Sequence, residues 1–207
     1  MPKHLPIFPL NLVVLPGEPV PLHIFESRYK QLLADCAPLE GQQLYQPFGI
    51  NYSQNKKLNE IGCSVLVNEI RHKYPNGELD IMTYGQKRYR LLNTHQQSVY
   101  LTGEVEWIEE EAQDVDTQLR ADTLDLYQRF LRVIEVEDPT LNPSTEQISF
   151  EIAYRINLEK DIKLKLLQSE SENERLEQMI TYLELAIPEV TEAKMFRAKI
   201  RANGYFA

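Results

Sequence analysis

The spacing of hydrophobic residues changes near the start of the chain. Residues 12–15 and 20–22 are short apolar runs on either side of Pro16-Gly17, a pair that favours a type II turn. Beyond them the apolar residues follow helical spacing and share one face: Phe25, Tyr29, Leu32, Leu33 and Cys36. The pattern predicts two short extended segments and then a helix that Pro38 ends.

The rest of the first half has the pattern of short strands. The candidate strands are residues 45–50, 62–71, 79–84, 88–92 and 100–108. Asn76-Gly77 predicts a type I′ hairpin turn before residue 79, and Gly85 predicts a break in the chain. Six or so strands with tight connections predict a small, twisted barrel.

The second half has helical spacing after an acidic boundary at residues 109–114. Helices are predicted from Val115, after a capping box at Ser144/Gln147, over residues 160–168 and after a capping box at Ser171/Glu174. Pro188 is expected to end the fourth helix and Thr191 to cap a last, basic one, closed by Asn203-Gly204. The predicted fold is α+β, with a β-barrel-like subdomain at residues 1–108 and a helical subdomain at 115–207.

Four motifs in order along the chain resemble one family. They are the N-terminal pattern Pro9-Leu10, Val13-Val14, Pro16-Gly17, Pro21-Leu22 with HIFESRY at residues 23–29, the strand GCSVLV from Gly62, YGQKRYRLL at 84–92 and LLQSESENERLEQMITYL at 166–183. They resemble the Lon N-terminal domain over residues 5–187. The resemblance implies a PUA-like β pseudobarrel followed by a helical bundle, together one domain. It also implies a stand-alone substrate-binding module without the ATPase and protease domains.

Composition narrows the function classes. The chain has 207 residues and a net charge of −9. Residues 1–108 carry ten basic and ten acidic side chains, and residues 109–207 carry twelve and twenty-one. An acidic half disfavours nucleic-acid binding. No apolar run approaches the ~20 residues of a membrane span, and the N-terminus does not resemble a signal peptide. We therefore expect a cytoplasmic protein with Cys36 and Cys63 as buried, reduced thiols.

Catalytic motifs are missing from the sequence. It contains no phosphate-binding loop and no G-x-S-x-G elbow, and none of the four histidines has metal-ligand spacing. His23 and Glu26 could form a catalytic dyad, but a strand-end histidine and a carboxylate in the first helical turn explain them more simply. We expect no enzymatic activity, no cofactor and no metal.

The best candidates for a binding site are Phe25, Glu26, Arg28 and Tyr29, at the change from strand to helix. They could hold an extended peptide, or Glu26 and Arg28 could form an ion pair that only holds the helix. The basic residues Lys194, Arg197, Lys199 and Arg201 are a second candidate, as is an anion patch at Lys87, Arg88 and Arg90. Arg88 and Arg90 are otherwise expected on the solvent side of a barrel wall.

The sequence therefore predicts a cytosolic adaptor or sensor that recognises protein or peptide segments without catalysis. The alternatives are an enzyme with an unrecognised small-molecule site and RNA binding by analogy to PUA-like barrels. The sequence indicates no oligomeric state.

Overall fold

The computed structural model describes residues 3–40, 43–96, 99–110 and 114–202. Its elements, in chain order, are β1 (Lys3–Leu10), β2 (Pro19–Ile24), α1 (Ser27–Asp35), β3 (Phe48–Gln54), β4 (Lys57–Lys73), β5 (Leu79–His95), β6 (Leu101–Trp107), α2 (Thr117–Ile134), α3 (Ile148–Arg155), α4 (Lys160–Gln168) and α5 (Glu172–Ala202). These strands and helices confirm the α+β fold class.

The chain forms two compact units. One contains the described residues of Met1–Glu109 and Tyr154–Gln168, and the other those of Glu110–Ala153 and Ser169–Ala207. Helix α4 therefore packs within the strand-rich unit. The division into subdomains 1–108 and 115–207 stays a prediction, and the central residues of its boundary, 111–113, lie outside the described residues.

The six strands form one sheet that closes on itself. Their order is β2-β5-β4-β3-β1-β6, and β5 also pairs with β6. The long strand β5 serves two partners, because residues 79–84 pair with β2 and residues 89–95 pair with β6. Among the strand pairs of the described residues, β1 and β3 run parallel and the others run antiparallel. The ring of β5, β4, β3, β1 and β6 is the predicted pseudobarrel.

Tyr89 lies in the centre of the barrel. Its ring is fully buried with Leu5, Ile7 and Val105, and its hydroxyl donates to Asn51 Oδ1 at 2.5 Å. A Cβ atom at Gly62 would lie 2.6 Å from the Tyr89 ring, and one at Gly49 would overlap the Tyr89 hydroxyl. These two glycines therefore provide the space for the tyrosine.

The Pro16-Gly17 turn is confirmed and lies directly against β5. Leu15 O accepts from Glu18 N at 3.1 Å, and Gly17 has φ +77°. The predicted break at Gly85 is wrong, because strand β5 continues through this residue. Its N–H donates to Glu18 O, and a Cβ atom there would overlap the Leu15 carbonyl. Glycine at this position allows the close approach of the turn.

The hairpin turns differ from the sequence prediction. At Asn76-Gly77 only Gly77 has a positive φ, +78°, and its N–H donates to Tyr74 O at 2.9 Å. The predicted type I′ turn there is wrong, because that turn needs two positive φ values. The two-residue turn with both values positive is Asn55-Lys56, φ 51° and 63°, which joins β3 to β4.

Two cations attach α4 to the barrel. Arg88 is buried and donates from Nη1 to Leu167 O at 2.9 Å. The Lys163 ammonium binds Glu18 Oε1 at 2.5 Å, and both side chains are nearly inaccessible. The expectation that Arg88 faces solvent is therefore wrong, because α4 covers that part of the wall. Arg90 remains half exposed.

The second unit contains a buried charged cluster beside packed α2 and α5. The guanidinium of Arg175 is fully buried, binds Glu172 at 2.8 Å and Glu110 at 2.9 Å, and lies 4.3 Å from the centre of the Phe150 ring. Buried arginine is stable in proteins when carboxylates pair with it in this way.

Helix α5 continues through Pro188, so the predicted helix end there is wrong. Thr191 is not a cap, because its hydroxyl donates to Ile187 O within the helix. Beyond the proline, Lys194 Nζ donates to Val133 O at 2.9 Å, so the continued helix contacts α2. The predicted closure at Asn203-Gly204 lies outside the described residues.

One capping box is partly confirmed and the other is wrong. Ser171 Oγ accepts from Glu174 N at 3.2 Å, as a capping serine does. Helix α3 begins only at Ile148, and the Gln147 side chain donates to Glu110 instead of capping.

We expect Gly49→Ala to lower the free energy of unfolding by about 1–3 kcal/mol or more, because the added methyl group overpacks the barrel against Tyr89. Urea unfolding measures this. Tyr89→Phe removes the overlapping hydroxyl, so the double variant should lose less stability than the sum of the two single variants. Unchanged stability of Gly49→Ala, or strict additivity, would contradict the packing described.

Candidate functional site

The predicted site residues lie where β2 ends and α1 begins. Glu26 is the N-cap residue of α1, with extended φ −70° and ψ 134°. Its carboxylate makes no cap hydrogen bond but binds Arg28, which donates from Nε at 2.8 Å and from Nη2 at 2.7 Å. The ion pair between Glu26 and Arg28 is thus formed, on a surface where both side chains are partly exposed.

Phe25 and Tyr29 lie on different sides of this corner. Tyr29 is buried and stacks on Phe8 with ring centres 3.8 Å apart. The Arg28 guanidinium lies 4.6 Å from the centre of the Tyr29 ring. Phe25 precedes the helix and is 56% exposed, so its predicted place on the buried helix face is wrong. The other members of that face, Leu32, Leu33 and Cys36, are buried.

An open groove of about 830 Å³ runs beside the start of α1. We call it the α1 groove. Its apolar lining residues are Pro9, Tyr29, Leu58, Val99, Tyr100 and Leu101, and its polar ones are Arg28, Ser53, Asn55, Lys56, Thr94 and Gln96. Two of the four predicted residues, Arg28 and Tyr29, line this groove, whereas Phe25 and Glu26 do not.

Sequence reasoning missed most of the groove. Its walls come from the end of β1, the turn between β3 and β4, the end of β5 and the start of β6. These segments are far apart in sequence and meet only because the barrel closes. The one local signal was Asn55, since asparagine tolerates the left-handed backbone that this turn requires.

His23 does not pair with Glu26. Its Nδ1 lies 2.7 Å from Asp80 Oδ1, and its Nε2 lies 3.3 Å from Glu78. Asp80 also accepts from the Tyr74 hydroxyl at 2.8 Å. The His23 ring stacks on Phe25 at 5.9 Å between centres. The alternative of a His23–Glu26 dyad is therefore wrong, and His23 instead belongs to a surface network that links β2 to the hairpin between β4 and β5.

This network shifts the ionisation of its members. The hydrogen bond to Asp80 raises the pKa of His23 above 6.5, and the bonds from His23 and Tyr74 lower the pKa of Asp80. The charged His23 ring therefore stabilises the fold fully below pH 6.5, and this contribution is lost as the pH rises through the raised pKa. The contribution of the Asp80 carboxylate is lost as the pH falls through its lowered pKa.

The other sequence candidates have different surroundings. Cys36 and Cys63 are free and buried, as expected, and burial raises the pKa of the Cys36 thiol to about 11 and that of Cys63 to about 12. Lys194 of the basic segment binds Glu135 at 2.6 Å. Among the residues that the structure describes, no group of three or more His, Cys, Asp or Glu side chains could hold a metal ion.

We expect Asp80→Asn to bring the pKa of His23 back toward 6.5, because the variant removes the acceptor that favours the charged ring. An NMR pH titration of the imidazole resonances measures this. Glu69→Gln, which removes an exposed carboxylate paired with Arg71 on the same hairpin, should leave the His23 titration unchanged. Equal shifts in both variants would show a general charge effect instead of the Asp80 hydrogen bond.

The fold is similar to those of two solved proteins. One is described as a Lon N-terminal domain protein from Xanthomonas campestris, with a TM-score of 0.67 and 24% identity over 87% of this chain and 98% of that one. The other is the N terminal domain of a Mycobacterium avium complex Lon protease, with a TM-score of 0.56 and 16% identity over 88% and 98%. At these identities the two likenesses show the fold alone.

The sequence itself matches a family model. That model is described as the ATP-dependent protease La (LON) substrate-binding domain, and it matches residues 4–184. The match spans well over half of the 207 residues and confirms the resemblance found in the sequence motifs. This chain therefore belongs to the family of LON substrate-binding domains.

Proposed function

We propose that this protein recognises protein or peptide segments without catalysis, and that the α1 groove binds them. Family membership supports protein substrates as the ligand class. The observation that carries the proposal is the open groove beside α1, whose lining combines apolar residues with polar ones and includes Arg28 and Tyr29. An enclosed pocket with converging polar groups would instead favour a small-molecule enzyme.

The groove has the size and lining that an extended segment requires. Its volume of about 830 Å³ lies within the range that ligand-binding clefts have in proteins. Leu58, Val99 and Leu101 offer apolar surface that a peptide would remove from water, at roughly 25 cal/mol per Å². The polar lining residues could bind the peptide backbone. Binding should therefore depend on apolar burial.

Strand addition is a poorer explanation for binding. In the described sheet β2 pairs with β5 alone, so its other edge is the place where a peptide strand could add. Pro19 and Pro21 lie in this strand and have no N–H group to donate. Prolines protect sheet edges from pairing in this way. This supports recognition by side chains in the groove.

Arg28 is the central binding residue that we propose at the corner between β2 and α1. Glu26 holds two of its nitrogens, and the Tyr29 ring lies beneath the guanidinium. Because the Glu26 carboxylate and the Tyr29 ring hold the guanidinium in place, Arg28 can donate from Nη1 to a ligand with little loss of side-chain entropy. Phe25, exposed next to this corner, would add apolar contact at the rim.

We further propose a cytoplasmic adaptor or sensor that binds neither nucleic acid nor membranes. The neutral charge of residues 1–108 and the acidity of the rest are unfavourable for phosphate-rich partners. Within the described residues, no helix is long and apolar enough to cross a bilayer.

We expect Arg28→Ala to weaken binding of the N-acetylated, and therefore neutral, peptide amide Gly-Ser-Leu-Phe-Leu-Gly-Ser about two- to tenfold, with an almost unchanged melting temperature. Isothermal titration calorimetry at several temperatures should also give a negative heat-capacity change, the mark of apolar burial. Arg71→Ala is the matched control, because Arg71 is equally exposed and pairs with a carboxylate two residues before it. If Arg28→Ala instead lowers stability while the folded protein binds normally, the corner is only scaffolding.

We expect the purified protein to hydrolyse neither ATP nor casein, because its sequence has no phosphate-binding loop. Phosphate release and casein fragments on gels are the measurements, with a heat-inactivated sample as control. An activity that co-purifies with the protein through several columns would contradict the non-catalytic proposal.

A further inference from the structure

The charged groups that line the α1 groove have one sign. Arg28 and Lys56 are its cations, and none of the described lining residues is Asp or Glu. The whole chain carries a net charge of −9. The charged side chains that line the groove are therefore all basic, whereas the protein as a whole is acidic.

Lys56 carries an exposed charge on a turn between two paired strands. It is the second residue of the Asn55-Lys56 turn, with φ 63°, and the residues that flank this turn, Gln54 and Lys57, pair with each other across β3 and β4. The backbone is therefore held on both sides. The side chain is exposed, and no described residue forms an ion pair with its ammonium group.

The carboxylates near the groove already have partners. Glu26 binds the Nε and Nη2 nitrogens of Arg28, and Asp35 accepts from the Tyr100 hydroxyl at 2.7 Å. Glu26 balances the charge of Arg28 but leaves its Nη1 group free to donate. An anion in the groove would therefore gain most from Lys56 and would use Arg28 as a second donor.

We propose that the α1 groove selects apolar segments that carry a carboxylate. The apolar side chains would contact Leu58, Val99 and Leu101, and the carboxylate would bind Lys56. This inference rests on the proposed function, because it names the ligand chemistry of the same groove. The carboxylate can belong to the C-terminus of a segment or to an Asp or Glu side chain, since both present the same charged group.

Three rhodamine-labelled probes separate these sources in fluorescence anisotropy. They are Gly-Ser-Gly-Ser-Leu-Phe with a free C-terminus, the same peptide as its amide, and Gly-Ser-Gly-Asp-Leu-Phe amide. At least one carboxylate probe should bind roughly fivefold more tightly than the neutral amide, the ratio of a partly exposed charge pair. This advantage should shrink as salt is added. The carboxylate probe that binds more tightly shows whether the groove prefers a C-terminal carboxylate or an acidic side chain.

A pair of neighbouring lysines provides the matched variants. Lys56→Gln should remove the preference for the carboxylate probe and leave the affinity of the neutral amide unchanged. Lys57→Gln makes the same change of charge one residue away, at an exposed side chain that does not line this groove, and should keep the preference. Both variants should melt at the wild-type temperature.

Two results would overturn the inference and leave the proposed function standing. One is equal affinity of the wild-type protein for all three probes, with Arg28→Ala still weakening the neutral amide. The other is an equal loss of preference in Lys56→Gln and Lys57→Gln, which would show an effect of net charge alone. If no probe binds the wild-type protein at all, the proposed function fails and the inference fails with it.

Discussion

The structure of the first unit depends on how Tyr89 packs inside the barrel. Its ring occupies the space that side chains at Gly49 and Gly62 would fill, and its hydroxyl binds Asn51. These residues belong to the three neighbouring strands β3, β4 and β5. A shift of one residue in either pairing would place a side chain where the ring lies, so this one tyrosine helps to fix the register of the barrel.

The position of the α1 groove follows from that register. Strand β5 pairs first with β2, which leads into α1, and then with β6, whose first residues line the groove. The turn between β3 and β4 contributes Lys56 from the same barrel. The strands that form the groove therefore have a register that is fixed by packing in the barrel interior. For this reason, a binding surface made of segments distant in sequence can have a defined shape.

Charged side chains have different roles within the two units and at the α1 groove. Lys163, which is buried, binds the half-buried Glu18 in the first unit, and Arg175 binds Glu172 in the second with both partners buried. Removing one partner of such a pair typically costs about 3–5 kcal/mol, because the other charge stays buried. Lys56, by contrast, is exposed and contributes little to stability. Its charge is available for binding.

The sequence by itself determined the features that depend on local chemistry. Spacing of apolar residues separated the strand-rich half from the helical half, the Pro16-Gly17 pair predicted its turn, and residues 160–168 were correctly assigned as a helix. The family resemblance followed from short motifs in order, confirmed by the family model. These signals are local because turns and helix periods depend on a few neighbouring residues.

Tertiary structure decided the features that depend on distant contacts. Helix α5 continues through Pro188, where a proline usually ends a helix, and it packs on α2, to which Lys194 donates beyond the proline. Gly85 continues a strand because a turn packs on it, and Arg88 is buried because α4 covers it. The α1 groove joins Pro9, Lys56 and Val99, which no local pattern connects. Only closure of the barrel brings such residues together.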